Sequence, residues 1–275
     1  MKKMLLYPFL AVFVSFSLGA CSEQTVETAI PEEERDVKKK EKQANDASKV
    51  HWSYKGETGP KQWGTLDAAY STCTDGSEQS PINIDFSQVT TSEKANQFEI
   101  QYEPSAYSII NNGHTIKADI QNKHSLVIDN KEYILSQFHF HAPSEHKFNG
   151  QYHAMELHLV HQAENGELAV LGVMIQEGAE NESLRSVWDM LPKEEMDESR
   201  TGEKPIELSK LVPKDQTTIH YKGSLTTPPC TENVQWYMMK QPIEMSKEQI
   251  QSFKQIFPEN HRPVQPLNER EVTVN

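Results

Sequence analysis

The chain is expected to fold as a single, mostly β domain carrying a few short helices. Strand-like alternation dominates the chain from His51 onward, in HTIKADI, SLVIDNKEYIL, MELHLVH and LAVLGVMI. Helical spacing is rare by comparison, and the one candidate is NESLRSVWDML, where Leu184, Val187, Trp188 and Leu191 recur with the helical period and Pro192 stops the run. The third observation is size. From His51 about 225 residues remain with no internal repeat and no Gly/Ser linker, a length that all-β folds routinely reach as one unit.

Residues 1–20 read as a lipoprotein signal peptide. Lys2 and Lys3 form a positive n-region, and Met4 to Ser17 is nearly all apolar. That run falls short of the roughly 20 apolar residues of a membrane-spanning helix and matches a secretory signal. Leu18-Gly19-Ala20-Cys21 resembles the lipobox of bacterial lipoproteins, which predicts lipidation of Cys21 and an exported protein tethered to the outer face of a bacterial membrane. Residues 21–50 are then the lipidated cysteine and a linker. Residues 22–50 contain no aromatic side chain and carry eight acidic and six basic ones. Such a stretch buries too little apolar surface to offset its ordering entropy. As a coil it reaches about 30 Å, enough to hold the domain of residues 51–275 clear of a membrane.

The net charge is −13, and −15 once Lys2 and Lys3 leave with the signal. An acidic balance argues against nucleic acid and against nonspecific adhesion to anionic lipid. Apart from Cys21 there are two cysteines, Cys73 and Cys230, for which a disulfide is the default in an exported domain.

QFHFHAPSEH, residues 137–146, sets His139 and His141 on one strand face and Phe138 and Phe140 on the other. Taken alone, this stretch is read first as a half-buried strand with a polar face, with a metal site as the alternative. HAMELHLVH, residues 153–161, adds a third histidine, His158, sharing a face with Glu156 and Val160. A carboxylate two residues from an imidazole can accept its second N–H and fix its tautomer. Three imidazoles leave the fourth tetrahedral position of zinc open, the pattern of a catalytic site.

SQFHFH, SEHKFNGQYHAMELHLVH and GSLTTPPCTENVQW resemble the α-class carbonic anhydrases. HWSY, EQSPINI, INNGH, GELAVLG and RPVQPLN match the same family in order, so the similarity spans nearly all of residues 51–275. The resemblance implies an α+β fold on one large twisted, mostly antiparallel central sheet with short peripheral helices. It implies reversible hydration of carbon dioxide to bicarbonate and a proton, by attack of zinc-bound hydroxide. The Zn2+ ligands would be His139, His141 and His158, oriented by Gln137 and Glu156. Thr226 would orient the hydroxide through Glu145, and its backbone N–H would hold a bicarbonate oxygen. Val160, Val170, Leu225, Val234 and Trp236 would line an apolar pocket for carbon dioxide, Thr227 would contact bicarbonate, and His114 would shuttle the proton.

Other assignments are structural. His146, His153 and His161 are expected to be structural or surface histidines, and Trp52, Tyr54 and Trp63 packing residues. Ala142, Phe148 and Lys117 depart from common family choices, and Lys117 is expected to disfavour protonated His114 by like charge. Two rival functions come from other classes. A catalytically silent binding module on the same fold would carry no stoichiometric zinc. A cupin-type metal enzyme would share His139-x-His141-x-x-x-Glu145, but the glycines and the downstream third histidine of that motif are missing. A metalloprotease is excluded for want of H-E-x-x-H. Both a monomer and a homodimer are compatible with the sequence.

Overall fold

Alternating apolar and polar side chains build the sheet that positions the site. The computed structural model describes residues 50–91, 98–196 and 198–274; the signal segment, Cys21 and most of the linker lie outside the described residues. Seven strands form the centre: β1 Tyr107–Asn111, β2 Ile116–Ile120, β3 Lys131–His141, β4 Met155–Ala163, β5 Leu168–Glu177, β6 Thr218–Ser224 and β7 Glu232–Met239. They lie in the order β1-β2-β3-β4-β5-β7-β6. Neighbours are antiparallel except β5 and β7, which run parallel. At one edge Thr273–Val274 pairs antiparallel with β6 and parallel with Thr90–Thr91. The expected fold class is what the chain adopts.

The alternation in β3 does its work through burial. Phe138 and Phe140 are fully buried in the main core with Leu157 and Leu159 of β4. The opposite face of β4 is closed as well, since Glu156 and His158 are buried too. β3 itself is half-buried as expected, with Gln137 and His139 partly exposed on its polar face and His141 buried at its end.

The helices differ from expectation in extent. The 181–191 candidate forms only a 3-10 turn, Glu182–Leu184, and a single α turn, Arg185–Trp188. Leu184 and Val187 are buried, and Trp188 packs edge-on against Phe140 with ring centroids 4.9 Å apart. Docking of three side chains needs no more than one turn, and a short helix gains little by propagating further. The longest helix among the described residues, Lys247–Ile256, escaped the periodicity reading. Its start carries a capping box: Gln249 N–H donates to Ser246 Oγ at 3.2 Å, and Ser246 N–H donates to Gln249 Oε1 at 3.1 Å. Ile250 and Phe253 are its buried face.

Cys73 and Cys230 are joined as a disulfide across 157 residues of chain. They pack with Trp63, Trp52 and Tyr54 in a small separate cluster, as expected of those aromatic residues.

Candidate metal centre

Register brings the three histidines together. His158 of β4 stands directly opposite His139 of β3, and Glu156 opposite His141. Each ring uses one nitrogen for an oxygen acceptor. His139 Nδ1 donates to Gln137 Oε1 at 2.9 Å, His141 Nδ1 to the Asn260 carbonyl at 2.7 Å, and His158 Nε2 to Glu156 Oε1 at 2.7 Å. Each then presents its other nitrogen to the same point, and the three candidate ligand atoms lie within 4.8 Å of one another. His141 Nε2 is buried with no hydrogen-bond partner, which fits a metal-facing atom. Burial lowers the pKa of all three rings, that of His141 to about 3, so they stand neutral and ready to bind an ion. Three imidazole nitrogens are a donor set suited to zinc.

Gln137 thus accepts from His139 and Glu156 from His158. The acceptor for His141 was missed, because it is a backbone carbonyl 119 residues away. Asn260 does more than accept. Its amide donates to the carbonyls of His114 and Phe140, both at 3.0 Å, and its Oδ1 accepts from Ala142 N–H at 2.8 Å. Asn260 lies two residues before RPVQPLN, just outside the segments that carry the resemblance.

Glu156 is the hub of the buried polar side. Its Oε1 also accepts from His146 Nδ1 at 2.7 Å, and its Oε2 accepts the backbone N–H of Glu145 and of His146, both at 2.8 Å. Burial alone would raise the Glu156 pKa, but His146 and His158 outweigh it and hold the carboxylate well below its usual range. His146 continues to the Tyr221 hydroxyl at 2.6 Å, and Tyr221 to Ser80 Oγ at 2.8 Å. His146 is thus structural, but fully buried and one bond removed from a ligand's partner. His161 is buried on the other sheet face, and His153 is half-buried. Across β5, position 172 faces His158, and a methyl there would run into Met238. Glycine there leaves room for the end of the flexible Met238 side chain.

Glu145 sits beside the rings, its Oε2 3.4 Å from His141 Nε2. Its Oε1 accepts from the Arg262 backbone N–H at 2.8 Å. Burial pushes its pKa up, while the Arg262 N–H and the Thr226 hydroxyl pull it back. Thr226 is close enough to act on the carboxylate, yet no well-formed hydrogen bond reaches Oε2 among the described residues.

The apolar residues gather on one side. Val170, Val234 and Trp236 are buried in a common cluster, with Val160 and Leu225 packed against it, and Trp236 meets His158 edge-on at 4.9 Å. A cavity of about 120 Å³ opens over the rings, lined among others by Trp52, His114, Lys117, His139 and Thr227. His114 lies flat on Trp52, with centroids 3.7 Å apart and planes 8° from parallel, and His51 lies 6.3 Å away. Burial first, then His51, lower the His114 pKa to about 4. The expected cause was Lys117. Instead Lys117 is paired with Asp119 at 2.7 Å, and its charge acts on His139, its cross-strand neighbour.

A family model of eukaryotic-type carbonic anhydrases matches residues 58–275. The carbonic anhydrase of Nostoc sp. is 42% identical over 226 residues, 82% of this chain and 86% of its own length. That of Klebsiella pneumoniae is 42% identical over 225 residues, 81% of this chain and 90% of its own. The α-carbonic anhydrase of Thermovibrio ammonificans, solved with the inhibitor sulfanilamide, superposes with a TM-score of 0.79 at 42% identity, covering 82% of this chain and all of its own. The cupin reading falls with these matches. The chain belongs to the α-carbonic anhydrase family.

Proposed function

We propose that this protein hydrates carbon dioxide reversibly to bicarbonate and a proton, with zinc held by His139, His141 and His158. The reading is supported above all by the convergence of three neutral imidazoles, one with an orphaned buried nitrogen, beside Glu145 and an apolar wall. When bound, zinc supplies the Lewis acidity that makes water nucleophilic at neutral pH. The chain's own residues do the rest. Gln137, Asn260 and Glu156 fix the three rings. Glu145 accepts the hydrogen bond of the Thr226 hydroxyl, which leaves the Thr226 oxygen lone pairs to accept from, and so aim, the attacking oxygen. The Thr226 backbone N–H stabilises the negative oxygen that develops on the substrate. Val160, Val170, Leu225, Val234 and Trp236 hold carbon dioxide in dry surroundings, and Thr227 contacts bicarbonate. His114, at the cavity wall, carries the proton outward.

Stopped-flow hydration of carbon dioxide by the full chain tests this, with and without chelator. Rapid zinc-dependent hydration is expected. Inactivity of a zinc-replete sample would overturn the proposal and favour a binding module. The protein is further proposed to be exported and tethered through lipid on Cys21. Cys21→Ser is expected to move it from the membrane fraction to the soluble one with hydration unchanged. A variant that stays in the membrane fraction would mean that the N-terminal segment itself is the anchor.

A further inference from the structure

We propose that Arg262 is a positioning residue for the reaction, coupling the Cys73–Cys230 crosslink to the orientation of Glu145. The proposal rests on the roles given above to Thr226 and Glu145. Arg262 is an unusual arginine, its side chain 1% exposed. Nη1 donates to Gln79 Oε1 at 2.9 Å and to the Ser80 carbonyl at 2.7 Å, and Nη2 donates to the Cys73 carbonyl at 2.8 Å. All three acceptors belong to one short segment, and that segment starts at a disulfide cysteine. Gln79 completes the connection by donating Nε2 to the Cys230 carbonyl at 3.1 Å. The guanidinium therefore reads both ends of the crosslink, one directly and one through Gln79.

The backbone of the same residue reaches the site, since Arg262 N–H donates to Glu145 Oε1. Two residues earlier the Asn260 carbonyl takes His141 Nδ1. Residues 260–262 thus form a strap with contacts to a candidate ligand and to the carboxylate that serves Thr226. A buried fork with fixed acceptors leaves the strap little freedom, because a displaced guanidinium would lose partners it cannot replace with water. On the opposite side Cys230 N–H donates to the Thr227 carbonyl at 2.8 Å, holding the loop of Thr226 and Thr227. The crosslink accordingly grips donor and acceptor by different routes, Thr226 through its loop and Glu145 through Arg262. Cutting only the second route should let Glu145 move while Thr226 stays.

The kinetic consequence is selective. Misorientation of the attacking oxygen lowers kcat/KM, whereas proton export through His114 governs kcat. Arg262→Lys keeps the charge and loses the fork. In the zinc-loaded full chain it is expected to lower kcat/KM about 10-fold with one zinc per chain retained and kcat at low buffer changed far less. Gln79→Met, which keeps Arg262 but removes the tie to Cys230, should give a smaller fall of the same kind. Adding Cys73→Ser and Cys230→Ser to Arg262→Lys should cost less than the product of the separate effects, as expected for one pathway. An Arg262→Lys protein with a lower melting temperature and unchanged kcat/KM would overturn the proposal, leaving Arg262 a packing residue. If that variant does not fold, Gln79→Met decides by the same criterion. Thr226→Ala separates the two levels of argument. If it lowers kcat/KM and the Arg262 and Gln79 variants do not, the coupling is wrong; if it has no effect, the Thr226–Glu145 assignment is wrong.

Discussion

His158 and His161 lie three residues apart on β4, both fully buried and both with pKa values lowered by burial. They nevertheless do different things. His161 points into the main core, where Nε2 accepts from the Tyr102 hydroxyl at 2.6 Å and Nδ1 donates to the Ala169 carbonyl at 3.3 Å. Both its nitrogens are occupied by the fold. His158 gives one nitrogen to Glu156 and turns the other toward His139 and His141. Burial and a depressed pKa are thus shared by a packing residue and a candidate ligand. What separates them is a free nitrogen aimed where two others are also aimed.

The strongest way to break this contrast is to remove each histidine in turn. His158→Ala should abolish both stoichiometric zinc and hydration, whereas His161→Phe should retain both; metal content per chain and stopped-flow rates decide. A His158→Ala protein that still binds zinc tightly would mean that the ligand set is wrong. His114 sharpens the contrast next, being a histidine that neither ligates nor fills the core. His114→Ala should lower kcat by about 10²-fold at low buffer, keep most of kcat/KM, and recover on addition of imidazole. Equal loss in both constants with no rescue would make it a structural residue.

A smaller effect is expected one bond further out. Glu156→Gln should weaken zinc affinity or activity about 10–100-fold without eliminating either, measured by competition with a chelator. Loss as complete as that of His158→Ala would place Glu156 among the ligands. The effect at His161 is read in stability rather than in activity or metal content. Its pKa is ordinarily 6.5 and is lowered by burial to about 4, so between these values the unfolded chain binds the proton that the native state refuses. Stability contributed by neutral His161 is complete above pH 6.5 and lost as pH falls toward 4, by about 3 kcal/mol. His161→Phe should flatten that part of the acid limb while costing about 1–3 kcal/mol at neutral pH, because the Tyr102 hydroxyl is left unpaired. Urea unfolding at a series of pH values measures both.

Much of the site was legible because strand alternation is a local property. It put His139 and His141 on one face, gave His158 and Glu156 a common side, and set the phenylalanines on the opposite face. The capping box at Ser246 and Gln249 was equally local, and its helix was missed because the apolar period was sought and the cap was not. His146 is the structural histidine it was expected to be, but its partners were not legible. Its worth lies in Glu156 and Tyr221, which flank it only after folding.

The sequence by itself determined which side chains share a strand face and which cysteines remained to be paired, since both follow from the chain's period and composition. Only the tertiary structure decided that His141 is held by Asn260, that His51 and burial rather than Lys117 set the proton affinity of His114, and that Arg262 spans the crosslink and Glu145. Each of those contacts joins residues tens to hundreds of positions apart or depends on which neighbour a closed sheet brings near. No local pattern encodes a partner chosen by register and loop closure.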